Sequence, residues 1–338
     1  MSSYVITRVT WVLQLGSIRC FARSMTSLPT QMKAWQIHKY GDNRVLELQN
    51  TRVPVICKPN QVIVKVHAAS INPVDIANRG GYGRQILSKM RSEGSGGDSF
   101  PITLGRDFSG VVMKTGQDAK KFKYGDEVWG ISSFQNQGSH AEFVLVSTDE
   151  ISKKPKCLNH IEASSMPYVA LTTWAALITF GGLTKDTTLD KKVLVYAGSG
   201  EWVHLPSRMD FILDTLGGDT AEKRDLLKKW NNSTLVSIVT PLIKDTDQYG
   251  LPFGLASTGF SYMKNLFQGL RGGRTYRWAF CMPNAKALET ISKLVEQQQI
   301  RPVIDEVFPF DKLPDAFEKL EKGGARGKTV INVIGKSN

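Results

Sequence analysis

The stretch Lys192–Gly200 reads KVLVYAGSG, and it decides the fold because an apolar run passes directly into a glycine turn. This junction is typical of a parallel strand that meets the phosphate-binding start of a helix. A complete dinucleotide-binding unit continues with another glycine step, an amphipathic helix, a second strand and a ribose-selecting residue. Here only the ten residues Glu201–Asp210 separate the turn from the next strand-like run, Phe211–Asp214. The sequence therefore predicts a nucleotide-binding layer that begins and is then shortened.

Glu201–Asp210 is too short for the two helices and two strands that the complete unit would place there. A βαβ crossover with its helix needs at least about 10–12 residues, and Pro206 disfavours a helix. In the strand order 3-2-1-4-5-6 the first and fourth strands are neighbours, and ten extended residues reach about 33 Å. We therefore expect the chain to double back from Tyr196 to Phe211, which leaves the first strand at the sheet edge.

This shortening has three expected consequences. It removes the helix dipole that binds anions and the residue that selects the ribose. It also exposes the apolar face that the absent helix would cover, which favours aggregation. The sequence therefore predicts weak or no dinucleotide affinity and low stability.

The composition is that of a two-domain globular protein, with 338 residues and 41% hydrophobic content. The net charge of +12 permits acidic partners, but the basic residues are scattered. The densest patch, Arg271 to Arg277, favours a solvated loop, so no nucleic-acid partner is predicted. The four cysteines form no Cys-x-x-Cys pair, which argues against a structural zinc site and a disulfide framework.

The N-terminus is rich in Arg, Ser and apolar residues, and it has no acidic residue before Asp42. This composition predicts a mitochondrial transit peptide over residues 1–32, the alternative being a disordered tail. The apolar segment Met166–Leu183 approaches membrane-spanning length, but threonines and the pair Gly181-Gly182 interrupt it. We expect a buried helix there and no membrane span.

Local patterns divide the chain into a strand-rich part and an α/β part. Alternation predicts a half-buried strand over Gln61–Ala68, and the Gly/Ser-rich piece Arg91–Ser99 predicts a flexible loop. The remaining predicted helices are Ile161–Ile178, Ala287–Glu296 and Leu313–Glu321, and the later strands are Val193–Tyr196, Phe211–Leu213, Leu235–Val239, Trp278–Met282 and Thr329–Val333.

Four motifs occur together in a fixed order: ASINPVD at Ala69–Asp75, LGRDFSG at Leu104–Gly110, KYGDEVWG at Lys123–Gly130 and GGARGKTV at Gly323–Val330. Over Lys33 to Ile334 they resemble the zinc-free quinone oxidoreductase branch of the medium-chain dehydrogenase/reductase superfamily. The resemblance implies an α/β fold with two domains. A GroES-like, β-rich domain is expected at 33–165 and 310–338, and a truncated Rossmann domain with a doubly wound parallel sheet is expected at 166–309.

Zinc-dependent relatives place a Cys in the first motif and Gly-His-Glu in the second. This chain has Ile71-Asn72 and Gly105-Arg106-Asp107 at those places, and an arginine side chain cannot ligate a cation. The five histidines show no ligand spacing. No metal site is therefore predicted.

The resemblance implies direct hydride transfer from NADPH to a quinone-like or activated-alkene substrate. It assigns Asn72 and Asp75 to the catalytic cleft, with Arg106 and Asp107 behind them, and Asn72 could donate a hydrogen bond to a substrate carbonyl. The alternative is purely structural, with Asn72-Pro73 starting a turn and Asp75 capping the next helix.

The resemblance assigns NADPH contacts to backbone groups that follow two strands, to an aromatic residue and to the C-terminal tail. Arg326 could pair with a phosphate or be an ordinary surface arginine, and Gly217-Gly218 could border the nicotinamide or simply form a turn. The cofactor-binding residues expected in this way are Ser199, Gly200, Leu216, Gly217, Phe280, Gly324, Ala325 and Arg326.

Two functions are compatible with these features. The first is a mitochondrial oxidoreductase, in the matrix, that uses NADPH. The second is a non-catalytic interaction or regulatory protein that keeps the GroES-like domain and has lost cofactor binding. For mitochondrial members of the branch, the resemblance also implies a reticulon-family protein partner.

Overall fold

The computed structural model describes residues 28–95, 100–184, 186–196, 208–218 and 220–335, with no side-chain description for 92–95. Its first part is rich in β-strands. Its elements are β1 Gln31–Ile37, β2 Glu47–Arg52, β3 Gln61–Ser70, α1 Pro73–Arg79, α2 Ile86–Ser95, β4 Ile102–Thr103, β5 Asp107–Thr115, β6 Glu127–Ile131, β7 Phe143–Ser147 and β8 Ile151–Lys153.

The second part alternates strands and helices before the chain returns to the first part. Its elements are α3 His160–Ser164, α4 Pro167–Trp174, β9 Val193–Tyr196, β10 Phe211–Asp214, α5 Thr220–Asp225, β11 Ser233–Ser237, α6 Leu242–Leu270, β12 Arg274–Trp278, α7 Ala285–Glu296, β13 Ile304–Pro309, α8 Leu313–Lys322 and β14 Lys328–Asn332. A π-helical turn, Ala175–Thr179, extends α4.

Three sheets organise these elements. A seven-stranded sheet has the order β13-β14-β3-β5-β6-β8, with β7 paired to β3, and a three-stranded sheet has the order β2-β1-β4. The third sheet is parallel and has the order β12-β11-β10-β9. Because β14 pairs with β3, Val330 lies opposite Ser70 and the C-terminal strand is joined to the first motif.

Apolar packing joins the two parts of the chain. Ala287, Leu288 and Ile291 of α7 are buried with Leu171 of α4 against Trp129 of β6. Each fully buried aliphatic side chain contributes about 1.5–3 kcal/mol, so this cluster holds α4 and α7 against the strand-rich part.

The four-stranded sheet confirms the predicted return of the chain. Val193 pairs with Phe211 and Tyr196 with Asp214, so β9 and β10 are direct parallel neighbours. Within the described residues β9 forms the outer edge of the sheet. Val193 and Val195 on one of its faces are 41% and 55% exposed, which agrees with the expected uncovered apolar face.

Three local predictions are wrong. The predicted helix Ile161–Ile178 is divided after Ser164, because Pro167 begins a new helix at its first position. The predicted strand Trp278–Met282 is instead β12, which ends at Trp278 after pairing with β11. The predicted loop Arg91–Ser99 begins inside a helix, since α2 extends to Ser95.

Other predictions receive no test from these elements. The domain boundaries at 33–165 with 310–338 and at 166–309 stay predictions. Residues 1–27 and 197–207 lie outside the described part, and with them Ser199 and Gly200. No helix in the described part combines the length and the hydropathy needed to cross a membrane.

Candidate active site

Asp107 lies at the centre of a buried polar cluster, at the start of β5. Its Oδ2 accepts hydrogen bonds from Ser70 Oγ at 2.6 Å and Asn72 Nδ2 at 2.8 Å. Its Oδ1 accepts the backbone N–H of Tyr168 at 2.5 Å. The side chain is fully buried, and a buried carboxylate is stable only when donors and an opposite charge compensate it.

Lys328 supplies that opposite charge from the first position of β14. Its Nζ lies 3.3 Å from Asp107 Oδ2 and donates to Asn72 Oδ1 at 2.5 Å. The Lys328 side chain is 19% exposed. It is therefore the charged group of this cluster that also reaches an open space.

Asn72 and Asp75 are both buried, with 1% and 0% exposure. The Asn72 side chain bridges Asp107 and Lys328, and its backbone N–H donates to Asp75 Oδ2 at 2.9 Å. Asp75 therefore caps α1, which supports the structural alternative for that residue. Burial raises the pKa of Asp75 to about 6.

Arg106 fills the space beside Asp75. Its guanidinium is 2% exposed and donates to the backbone oxygens of Ser132 and Ser133, at 3.2 and 2.8 Å. The Arg106 Nε atom lies 4.0 Å from Asp75 Oδ1. A buried guanidinium here repels a metal cation, because it presents donors and no acceptor.

His140 lies beneath this cluster and is fully buried. Its Nε2 is 3.3 Å from the Ser70 carbonyl oxygen, and its Nδ1 has no partner in the described structure. Burial lowers the pKa of His140 to about 4. The ring is therefore neutral at physiological pH.

The chain that follows β12 reaches the cluster through Cys281. The Cys281 Sγ atom lies 3.7 Å from the Tyr168 carbonyl oxygen, and the N–H of Tyr168 donates to Asp107. Burial raises the pKa of the Cys281 thiol to about 12, so this thiol stays protonated. The carboxyl end of the parallel sheet therefore lies against the buried polar cluster.

Leu216, Gly217 and Phe280, which stay predicted cofactor-binding residues, lie at this carboxyl end. Leu216 is 51% exposed and Phe280 is 39% exposed. Gly217 has φ +74° and a Cβ there would lie 2.9 Å from Val239 Cγ1, so only glycine fits. The N–H groups of Leu216 and Gly217 both donate to Asp214 Oδ1, which fixes the turn.

The three predicted tail residues precede β14 on the surface. Gly324 and Arg326 are exposed, and Ala325 is half-buried. The backbone N–H of Arg326 donates to Asp305 Oδ1 at 3.4 Å, which ties the tail to β13. The tail therefore leads directly into Lys328, two residues after Arg326.

An apolar cavity of about 550 Å³ opens beside Lys328. It lies between the α4 segment, α7 and the turn before β13, and its volume is in the range of small-molecule sites. Its lining includes Met166, Val169, Ala170, Trp174, Leu177, Ile291, Leu294, Val303 and Lys328.

Comparison with known proteins places this geometry in a family. A family model described as an alcohol dehydrogenase GroES-like domain matches residues 58–156, and one described as a zinc-binding dehydrogenase matches 190–331. The mitochondrial NAD(P)H oxidoreductase RTN4IP1 of Homo sapiens is 42% identical over 376 aligned residues, covering 96% of this chain and 94% of the relative. The chain belongs to the medium-chain dehydrogenase/reductase superfamily.

Other superfamily members agree with this assignment. The 2-methylene-furan-3-one reductase of Solanum lycopersicum is 31% identical, covering 91% of this chain and 81% of the relative. The quinone oxidoreductase structure from Coxiella burnetii has a TM-score of 0.70 and 26% identity, covering 90% of this chain and 99% of that one. These matches confirm the predicted GroES-like and Rossmann-type fold, the oxidoreductase class and the mitochondrial location.

The alignments also show that this chain lacks internal residues that its relatives have. The human relative is aligned over 376 positions and the Danio rerio relative over 372, whereas this chain has 338 residues. At least 38 and 34 positions therefore have no counterpart here. They are internal, because an alignment begins and ends on matched residues.

The zinc in one family description has no matching cluster in the part of the chain that the structure describes. There, no group of three His, Cys, Asp or Glu side chains lies close enough together to hold a metal ion. The second motif of this chain instead contains Arg106, whose guanidinium is buried.

Sequence reasoning missed the residues that complete the site. Lys328 lies within the quoted GGARGKTV motif, but its pairing with Asp107 joins positions 221 residues apart. Its signal was a charged residue at the start of an otherwise buried strand. Ser70 and Tyr168 act through a hydroxyl and a backbone N–H, for which the sequence has no comparable signal.

Proposed function

We propose that this chain is a zinc-free, NADPH-dependent oxidoreductase that reduces quinone-like or activated-alkene substrates, with weak cofactor affinity. The observation that carries the proposal is Lys328, whose Nζ is anchored by Asn72 and Asp107 and whose side chain lines the apolar cavity. An apolar space beside an anchored ammonium suits a flat apolar molecule that bears a carbonyl oxygen.

The described residues fit the nicotinamide half of the cofactor. Leu216, Val239, Phe280 and Met282 form an exposed apolar rim at the carboxyl end of the sheet, where ligands bind in open α/β sheets. NADPH supplies a hydride when bound. The absence of any described strand beyond β9 leaves the adenosine half with fewer contacts, which supports weak binding.

The chain's own residues orient and polarise the substrate. The Lys328 ammonium donates to the substrate oxygen and stabilises the negative charge that develops there. Asn72 and Asp107 are positioning residues that hold Lys328, and Asp75 holds the backbone of Asn72. The apolar walls of the cavity contact the carbon skeleton of the substrate.

The proposal also includes the choice of nicotinamide cofactor, catalysis without zinc, the location within the mitochondrion and a protein partner. NADPH is kept as the cofactor because the family resemblance implies it, and the buried guanidinium of Arg106 supports catalysis without zinc. We also propose a matrix location and a reticulon-family partner, since a Caenorhabditis elegans relative with 31% identity is named reticulon-4-interacting protein 1.

Steady-state reduction of 1,4-benzoquinone and an enone at millimolar NADPH tests this function. We expect turnover that survives dialysis against EDTA, and we expect Lys328→Met to lower kcat/KM by about 10²-fold. Lys322→Met is the matched control, because Lys322 is exposed on the neighbouring helix, and it should leave turnover unchanged.

A non-catalytic interaction protein is the second candidate, and the edge position of β9 favours it. Absence of NADPH-dependent turnover with every acceptor, together with an intact far-UV spectrum, would support this second function over the first.

A further inference from the structure

α6 carries an exposed apolar stripe along its outer face. Phe253, Phe260 and Phe267 follow one another at intervals of seven residues, with exposures of 75%, 74% and 58%. Met263 and Leu270 are also exposed and lie three residues after the second and third phenylalanines. In a helix this spacing places all five side chains on one face.

The opposite face of α6 is already occupied. Gly254, Thr258 and Gly269 are buried, and the Tyr262 ring lies 4.9 Å from that of Trp278 on β12. The exposed stripe is therefore not the core-facing side of a displaced helix. An apolar surface of this length on a folded protein marks an interaction site.

The helix segment that carries the stripe is basic. Residues 248–271 contain no Asp or Glu, and they contain Lys264 and Arg271. Beside the stripe, a polar pocket of about 350 Å³ is lined by Arg224 and Lys264. Its other side-chain donors and acceptors are Thr220, Ser261, Asn265 and Gln268. Arg224 donates to Gln268 Oε1 at 3.0 Å, which holds its guanidinium at the pocket wall.

We propose that this face of α6 docks on the surface of a bilayer that contains anionic phospholipid. The phenylalanines insert among the acyl chains near the headgroups, and the pocket with Arg224 and Lys264 receives a headgroup phosphate. The helix segment from Phe253 to Leu270 is about 26 Å long, so it lies along the bilayer surface.

Charge favours a bilayer over a second copy of this chain. A two-fold contact through the stripe would place the same patch on both subunits, which brings Lys264 and Arg224 towards their own copies. The chain carries a net charge of +12, which opposes self-association and favours an anionic surface. The proposal is independent of the proposed reaction, because vesicle binding needs neither cofactor nor turnover.

Flotation of the full chain with vesicles tests the docking. The vesicles are pure phosphatidylcholine or phosphatidylcholine with about 20% cardiolipin, a lipid whose headgroup basic pockets bind. We expect binding to the cardiolipin vesicles only. The pair Phe260→Ser/Phe267→Ser should lower the partition coefficient at least about tenfold, and Lys264→Glu should lower it at least about fivefold.

Two variants control for general effects on apolarity and charge. Val55→Ser removes a side chain that is 70% exposed on the strand-rich part, and Lys120→Glu reverses an exposed charge on that part. Both should bind like the parent. All variants share the same N-terminal segment, so its own attraction to lipid cancels in the comparison, and near-equal thermal midpoints verify their folding.

Two results would overturn the proposal. One is binding that the α6 variants leave unchanged. The other is a dimer in sedimentation velocity that Phe260→Ser/Phe267→Ser dissociates without any effect of vesicles, which would assign the stripe to a second copy.

Discussion

Lys328 joins the buried charge of Asp107 to the open cavity, so its replacement should lower the stability of the protein as well as its turnover. Lys328→Met leaves a buried carboxylate without its cation, and removal of one partner of a buried pair costs about 3–5 kcal/mol. Because Ser70, Asn72 and Tyr168 still donate to Asp107, we expect a smaller loss, about 2 kcal/mol, in the free energy of unfolding.

Urea denaturation of the single variants and of Lys328→Met/Asp107→Asn measures this coupling. The double variant should recover at least about 1 kcal/mol relative to the sum of the single losses. If the double variant loses as much free energy of unfolding as the two single variants together, the two side chains do not depend on each other.

His140 makes stability depend on pH in a definite direction. Its folded-state pKa of about 4 lies below the ordinary 6.5. Its contribution to the free energy of unfolding is therefore fully present above pH 6.5 and is lost as the pH falls towards 4. Between about pH 7.5 and about pH 5 this amounts to about 2 kcal/mol.

Urea denaturation at these two pH values measures the His140 contribution. His140→Asn should reduce the acid loss by that amount, and His38→Asn, at an exposed site, should not. Burial also lowers the pKa of His67 to about 4, so the His140 variant keeps part of the acid loss. If His140→Asn leaves the difference in free energy of unfolding between the two pH values unchanged, His140 is not a source of the acid loss.

At the scale of single elements, α6 depends on a close contact at Gly254. A Cβ at this residue would lie 2.4 Å from the Thr246 Cα, across the break at Gly250, whereas a Cβ at Gly259 meets nothing within 4 Å. Gly254→Ala should therefore lower the thermal midpoint, because the two halves of α6 must separate.

Gly259→Ala is the matched control in the same helix. It should raise the free energy of unfolding by up to about 1 kcal/mol, since alanine is the better helix former. A thermal midpoint that falls equally for both variants would contradict the contact at Gly254.

The exposed face of β9 should govern aggregation. Val195 is 55% exposed on an edge strand, and a lysine there opposes pairing with another chain. Val195→Lys should slow the growth of light scattering on mild heating while the free energy of unfolding changes by no more than about 0.5 kcal/mol. Val195→Ile should aggregate like the parent, and equal rates for both variants would argue against this edge.

Elements with strong local patterns were predictable, and those set by tertiary contacts were not. The pairing of β9 with β10 followed from strand order and the reach of the connecting residues. α6 was missed, because Gly250, Pro252 and further glycines break the helical pattern and both of its faces carry apolar residues. The family motifs located Asn72 and Asp107, whereas the contact with Lys328 arises only when β14 pairs with β3.

At the scale of the whole molecule, the proposed function rests on one half of a cofactor site. The apolar rim lies at the carboxyl end of the sheet and the chain after β12 contacts the buried cluster, whereas in the described residues β9 is the outer strand, beyond which a complete unit would carry the adenosine contacts. We therefore expect the affinity for NADPH to come from its nicotinamide end.

The most direct test compares two ligands in the same fluorescence titration, NADPH and reduced nicotinamide mononucleotide, which lacks the adenosine half. The account predicts Kd values within about tenfold of each other, each weaker than about 100 μM, or −5.5 kcal/mol, with no competition from 2′-phosphoadenosine diphosphate ribose. Low-micromolar binding of NADPH that this adenosine fragment displaces would contradict it.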